Sequence, residues 1–310
     1  MSSDTRASDS SVLMNVSAAA PVGPNAELAR APSGRQWRRI LRRNLSTVAA
    51  VALLVVIVIL AVVPDLFHVP NPLKTNPSEA FAPPSHEFLF GTDDLGRDLF
   101  SRTVYGARVS LGTALIVVML AAAIGVPIGL VAGYREGFLD AAFMRAIDVL
   151  LAFPAILLAM GLIAVLGQGW TNGAIAVTIV SIPAFARLTR ASTLSQKRLD
   201  YVLAAKTIGA SPARVMFRTI LPNCLGPLLV QAAFVATWAI LLEAALSFLG
   251  LGVKPPTPSW GQMLSQGKTH LYRAWWFGFF PGLALTLVVL ALNTIGDTTQ
   301  RVIARGWRDV

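Results

Sequence analysis

Apolar residues fall into six long runs, at 48–63, 109–131, 141–166, 173–188, 225–249 and 275–295, and most of the charge lies between them. A bilayer-spanning helix needs roughly 20 predominantly apolar residues. In lipid, only helices or closed barrels satisfy every backbone polar group. The pattern therefore predicts an all-α, polytopic membrane protein with six transmembrane helices. Pro127, Pro154, Pro183 and Pro281 interrupt the runs, and all but the first are rich in Gly, Ala, Ser or Thr. Neighbouring helices or water must then satisfy the freed carbonyls, and small residues allow close backbone approach.

Residues 1–34 are rich in Ser, Ala, Pro and Asp without periodicity. They hold too little apolar surface to offset the entropy of ordering them. A basic cluster, Arg35, Arg38, Arg39, Arg42 and Arg43, follows directly before the first run. A cleavable signal has a shorter core and a small-residue cut site, so this run reads as an uncleaved first span. The expected partition is a largely disordered basic tail at 1–44, a first span at 45–64 and an outer loop at 65–107. A five-helix core follows at 108–300, with an inner loop at 190–222, an outer loop at 251–274 and a short tail at 301–310.

Composition supports burial in lipid: 55% of residues are hydrophobic, 14% are charged, and the mean hydropathy is +0.62. Soluble domains average about 25% charged. The net charge of +10 raises nucleic-acid binding, but that needs a basic patch on a soluble face, and none is expected here. The positive-inside rule accounts for the charge instead. Lys and Arg crowd the N-terminal segment, the 187–218 stretch and the tail (Arg301, Arg305, Arg308), whereas the first outer loop holds Asp65, Glu79, Glu87, Asp93, Asp94 and Asp98. Both termini are therefore expected in the cytoplasm. Trp275, Trp276, Phe277, Phe279 and Phe280 open the sixth run on the outer side, as an interfacial belt. The lone Cys224 reads as a buried hydrophobe, and His68, His86 and His270 have no metal-ligand spacing. No internal repeat is evident, which counts against an inverted-repeat carrier.

Three segments carry chemistry. In the first, 199–222, Gly209 suits a left-handed helix end, Ser211 an N-cap and Pro212 a first helical position. Two short helices are expected, with Ala204, Ala205 and Ile208 forming a small-residue face. On the residues alone, this is either a docking element or an amphipathic hairpin on the membrane surface. The pattern resembles the EAA loop of binding-protein-dependent ABC permeases: Glu-Ala-Ala, three residues, Gly, nine residues, Ile-x-Leu-Pro. Ala204, Ala205, Gly209, Leu221 and Pro222 match in register. Leu203 stands in place of the Glu, and Thr219 in place of the Ile.

The second segment contains Gly91, Thr92, Asp93, Gly96, Arg97 and Asp98, and resembles the Gly-Thr-Asp-x-x-Gly-Arg-Asp signature of the C-type subunit of dipeptide, oligopeptide and nickel permeases. Its spacing predicts a helix capped by Thr92 or Asp93, with Asp93–Arg97 and Asp98–Arg102 pairs at i,i+4. The third, Glu243 to Leu264, closes the fifth span and opens a Pro-stiffened loop, and the same subunits carry a similar stretch. Glu243, inside an apolar run, is either a pathway group or a structural partner. Asp148 is expected to pair with Arg145, one turn away.

The resemblance implies a type I ABC importer permease in a bacterial cytoplasmic (inner) membrane, carrying di- or oligopeptides or a similar small solute. It implies ATPase coupling through Leu203, Ala204, Ala205, Lys206, Gly209, Ser211, Pro212, Leu221 and Pro222. Glu243 and Trp260 are candidates for the pathway or its gate, and Asp93, Asp94, Arg97 and Asp98 for outer docking. The implied partners are a B-type permease forming a heterodimer, two cytoplasmic ABC ATPase domains, an extracytoplasmic solute-binding protein and membrane lipid, with no nucleic acid. The sequence holds no Gly-x4-Gly-Lys-Ser/Thr motif, so no cofactor is expected on this chain, and ATP and Mg belong to the ATPases. An intramembrane enzyme would need converging catalytic groups; Asp148 and Glu243 lie in different runs, and neither an HExxH motif nor a Ser/His pair is evident. A proton-driven carrier using Glu243 is the other rival, told apart by whether transport needs ATP.

Overall fold

Each apolar run folds as helix in the computed structural model of the chain, which describes residues 45–306. The tail expected at 1–44, with its arginines, and residues 307–310 lie outside the described residues. Helix α1 is Leu45–Val62, α2 Leu99–Arg135, α3 Gly137–Leu151, α4 Ala155–Leu166 and α5 Trp170–Gln196. Helix α6 is Asp200–Thr207, α7 Pro212–Phe248, α8 Trp260–Thr269 and α9 Trp276–Gly306. Helices α1, α2, α5, α7 and α9 are each long and apolar enough to cross a membrane.

The remaining crossing departs from expectation. The run 141–166 is not one helix but the pair α3 and α4, bent by 89°. Pro154, extended at φ −55°, ψ 130°, offers no N–H and drives the preceding residue out of the helical region. Pro127, Pro183 and Pro281, by contrast, remain inside continuous helices. Helix α2 also begins ten residues before the expected span, and its 37 residues reach about 55 Å at 1.5 Å per residue.

Thr47 and Thr298 share a buried hydroxyl bond of 2.9 Å, so the start of α1 and the end of α9 lie at one face of the bundle. The segment 199–222 lies at this same face. At the opposite face, residues 63–98 and 249–275 fold together into a headpiece. Trp276 Nε1 donates to the Thr92 carbonyl at 3.3 Å, Phe90 stacks on Phe280 at 4.1 Å, and Leu99, Met263, Ala274 and Phe277 are buried beneath.

The centre of the bundle is the contact of α2 with α5. Gly125, Gly129 and Gly133 lie along one edge of α2, and a Cβ on each would stand 2.8, 2.2 and 2.8 Å from the carbonyl oxygens of Ile182, Ala186 and Arg190. Backbones meet here with no side chain between them, as small residues spaced by four permit. Val117, Leu130, Val177, Phe185, Ile220 and Leu246 fill the core around this seam.

Candidate functional site

The 199–222 segment is a hairpin whose turn follows from its local chemistry. Helix α6 ends in a paired arrangement: Gly209 N–H donates to the Lys206 carbonyl at 3.0 Å, and Ala210 N–H to the Ala205 carbonyl at 3.1 Å. That double bond pattern requires a left-handed residue at its centre, and Gly209 has φ +80°. Ser211 then caps α7, its hydroxyl accepting from Arg214 N–H at 3.4 Å, with Pro212 in the first helical position.

The second arm differs from the expected short helix. It runs without a break into the membrane-crossing body of α7 through one widened turn, Val215–Ile220. The proline ring of Pro222 would clash with the carbonyl four residues earlier in a regular helix. A wider turn moves that carbonyl away, so the chain continues rather than stops.

Val202, Val215, Met216 and Ile220 are buried and seat the hairpin on the bundle. Its outward surface is apolar: Ile208 is 85% exposed, Phe217 49% and Leu203 48%. Ala204, Lys206, Ser211, Pro212 and Pro222 are also exposed, whereas Ala205 and Leu221 are half-buried. Lys206 places its Nζ 5.3 Å from the Tyr134 ring centre.

In the headpiece, Asp93 is fully buried and accepts from Arg97 Nε at 2.6 Å and from the N–H groups of Leu95 and Arg97, each at 2.9 Å. Arg102 Nε lies 3.3 Å from the same carboxylate, and Arg102 also donates to the Pro72 carbonyl at 3.2 Å. The helix expected to start at Thr92 or Asp93 starts instead at Leu99. Asp98 is its cap, accepting from Ser101 N–H at 2.8 Å. The expected Asp98–Arg102 pair does not form, and Arg102 turns to Asp93 and the Pro72 carbonyl instead. Burial pushes the Asp98 carboxyl above its ordinary range, against the lowering effect of the Ser101 and Phe100 amides. Among these four candidates, Asp94 and Asp98 are partly exposed, while Asp93 and Arg97 are enclosed.

Glu243 is 5% exposed. Its carboxylate accepts from Ser247 Oγ at 2.7 Å on its own helix and from Ser110 Oγ at 3.2 Å on α2. Beside it is a cavity of about 10 Å³ lined by Gly169, Trp170, Gly173, Val177 and Gly252, room for about one water. Trp260 is 1% exposed and donates through Nε1 to the Thr103 carbonyl of α2 at 2.9 Å. Both candidates thus tie another element to the headpiece half of α2.

Asp148 pairs not with Arg145 but with Arg187 of α5 at 2.6 Å. Asp140 pairs with Arg190 through two bonds of 2.5 and 2.6 Å, and Glu136 with Lys197 at 2.7 Å. The hydrogen bond from Lys197 holds the exposed Glu136 carboxyl below its ordinary range. These pairs fasten the start of the bent crossing to the end of α5. Their only trace in the sequence is a set of acids at 136, 140 and 148 and bases at 187, 190 and 197, whose matching depends on the fold.

Residues 125–309 match the family described as the binding-protein-dependent transport system inner membrane component. The chain is 47% identical over 233 residues to a di/tripeptide transport system permease protein, DppC, of Pseudomonas aeruginosa, covering 72% of this chain and 77% of that protein. It is 40% identical over 268 residues to a glutathione transport system permease protein, GsiD, of Pectobacterium atrosepticum, covering 86% and 89%. Among solved structures, an inward-facing form of the MetNI methionine ABC transporter aligns with a TM-score of 0.56 at 17% identity, over 67% of this chain and 97% of that one. This last likeness shows a shared fold.

Proposed function

The chain belongs to the binding-protein-dependent transport system inner membrane components and is a permease subunit of an ATP-binding cassette importer rather than an enzyme; on that premise we propose that it forms half of a pathway for di- or oligopeptides and that its hairpin seats a separate ATPase. The observation that carries the seat is the apolar hairpin tip. Ile208, Leu203 and Phe217 stand exposed on a loop flanked by Lys206, Arg214 and Arg218. Exposed apolar groups rimmed by charge mark contact sites, and Ile208 is the natural anchor.

Force applied at that tip enters α7 directly, because the arm and the membrane-crossing helix are one element. Closure of two ATPases, which carry the ATP and Mg, then rocks the spans from one access to the other. Leu203 occupies the position where the family pattern has Glu, so the facing ATPase surface meets an aliphatic side chain rather than a carboxylate. At the outer face, Glu243 and Trp260 hold α7 and α8 to α2 and serve as fastenings of the gate. Asp94, the more open acid of the headpiece motif, faces the binding protein.

A second permease chain completes the pathway, and the hairpin face lies in the cytoplasm. The identity to the di/tripeptide DppC supports peptide cargo. A carrier driven by protons through Glu243 is disfavoured by the match to binding-protein-dependent permeases. Uptake of a labelled dipeptide into vesicles holding the purified complex and its binding protein tests the reading. ATP should drive it, and uptake driven by a proton gradient without ATP would overturn it.

A further inference from the structure

The hairpin is also held to the far end of α2, and one aromatic ring makes the connection. Tyr134, in the last turn of α2, has the ammonium groups of two lysines over its ring. Lys206 of α6 places its Nζ 5.3 Å from the ring centre, and Lys197, at the end of α5, places its Nζ at 5.6 Å. Lys197 is itself fixed, donating to the Tyr134 carbonyl and to Glu136 Oε1, both at 2.7 Å. One ring thus gathers the ends of α2 and α5 and the first arm of the hairpin.

The opposite end of α2 is bound into the headpiece. Asp98 caps it, Arg102 is enclosed beside Asp93, and Trp260 donates to Thr103. Between these ends the helix is unbroken, and at Gly129 it is locked to α5. A displacement at the headpiece therefore moves the Tyr134 end as well. It reaches α6 only as far as contacts at that end transmit it. The cation over the Tyr134 ring is a directional contact between α2 and α6, since a positive charge is attracted to the face of an aromatic ring.

On the reading that the hairpin seats an ATPase, we propose that Tyr134 is a positioning residue of the transport cycle. Its ring holds α6 to α2 through Lys206, so that α2 links binding-protein docking at the headpiece to the ATPase seat. Phenylalanine keeps the ring face that attracts the ammonium. Leucine fills similar space without it.

The test uses the complete complex, with its ATPases and binding protein, reconstituted in lipid. Tyr134→Phe is expected to keep the stimulation of ATP hydrolysis by peptide-loaded binding protein. Tyr134→Leu is expected to lower that stimulation about two- to five-fold, the range of one exposed cation–ring contact, with ATPase retention and basal hydrolysis unchanged. Lys206→Gln should also lower it, and the Tyr134→Leu/Lys206→Gln double variant should be no worse than Tyr134→Leu alone, because the loss of the ring already removes the Lys206 contact along with that of Lys197. Full stimulation in Tyr134→Leu, equal damage from Phe and Leu, or additive losses in the double variant would each overturn the role. Should Tyr134→Leu fail to assemble, Lys206→Gln decides, and unchanged stimulation there overturns it. Failure of the underlying hairpin reading has a different signature: normal ATPase retention when Gly209 or Ala205 is altered.

Discussion

Gly129 and Ala186 meet backbone to backbone, so closely that a Cβ on Gly129 would stand 2.2 Å from the Ala186 carbonyl oxygen. No rotamer change relieves a clash with a carbonyl. Gly129→Val is therefore expected to force α2 from α5 and cost at least the 1–3 kcal/mol typical of overpacking. Gly161→Ala is the control, since a Cβ there meets nothing within 4 Å and replaces glycine with a better helix former. Thermal melting of the detergent-solubilised protein should show a marked loss for the first and none for the second. Equal melting temperatures would mean that the seam is not close-packed.

Of the acids in the headpiece motif, Asp93 is enclosed whereas Asp94 and Asp98 are partly exposed. Asp93→Asn leaves two enclosed guanidinium groups, Arg97 and Arg102, without their shared carboxylate. Removing one partner of a buried pair costs roughly 3–5 kcal/mol. Asp94, 3.6 Å from Arg97 with a side chain 36% exposed, should cost under about 1 kcal/mol when changed to Asn. Proteolysis of the headpiece compares the two variants, and equal resistance would contradict the burial argument.

Orientation can be read with thiol labelling in a Cys224→Ala background. Ser85 is exposed in the headpiece and Ser195 is exposed near the hairpin. A cysteine at Ser85 should react with an impermeant reagent in intact cells, and one at Ser195 only after permeabilisation. The reverse pattern would place the hairpin outside, away from any ATPase.

Glu243 ties Ser110 of α2 to α7. Glu243→Gln keeps one acceptor oxygen and should preserve assembly and basal ATP hydrolysis while lowering uptake a few-fold. Glu243→Leu leaves both buried hydroxyls without an acceptor, at about 1–3 kcal/mol each, and should be the more damaging. Wild-type uptake by the Leu variant would remove Glu243 from the gate, and loss of assembly in the Gln variant would make it structural only.

Much of this was legible in residue order, and the division has a physical cause. Gly209, Ser211 and Pro212 act on backbone within a few residues, so the hairpin turn could be read directly. The six crossings follow from length and apolarity. Pro154 could not be separated from Pro127, Pro183 and Pro281 by its own chemistry, because whether a proline breaks or merely interrupts a helix depends on neighbours that satisfy the freed carbonyls. The pairing of Asp148 with Arg187, and of Asp93 with Arg102, was hidden because near spacing favoured Arg145 and Asp98. The sequence shows that small residues allow close helix contact, but the register of Gly125, Gly129 and Gly133 against α5 appears only in the fold.

The claim on which the functional reading rests is that the hairpin transmits force between an ATPase and the spans. Two variants isolate it. Gly209→Val places a β-branched residue at φ +80°, where a side chain costs roughly 1–2 kcal/mol, although no atom lies within 4 Å to clash. Ala205→Glu puts a charge on a half-buried contact position, where it must be desolvated without a partner. Both should reach the membrane, because neither alters a crossing. The decisive measurement is ATPase co-purification together with peptide uptake by the reconstituted complex, beside Ser192→Ala as control. Coupling through the hairpin requires that both variants lose retained ATPase or uptake several-fold while the control keeps them; full retention and full uptake in both would contradict it.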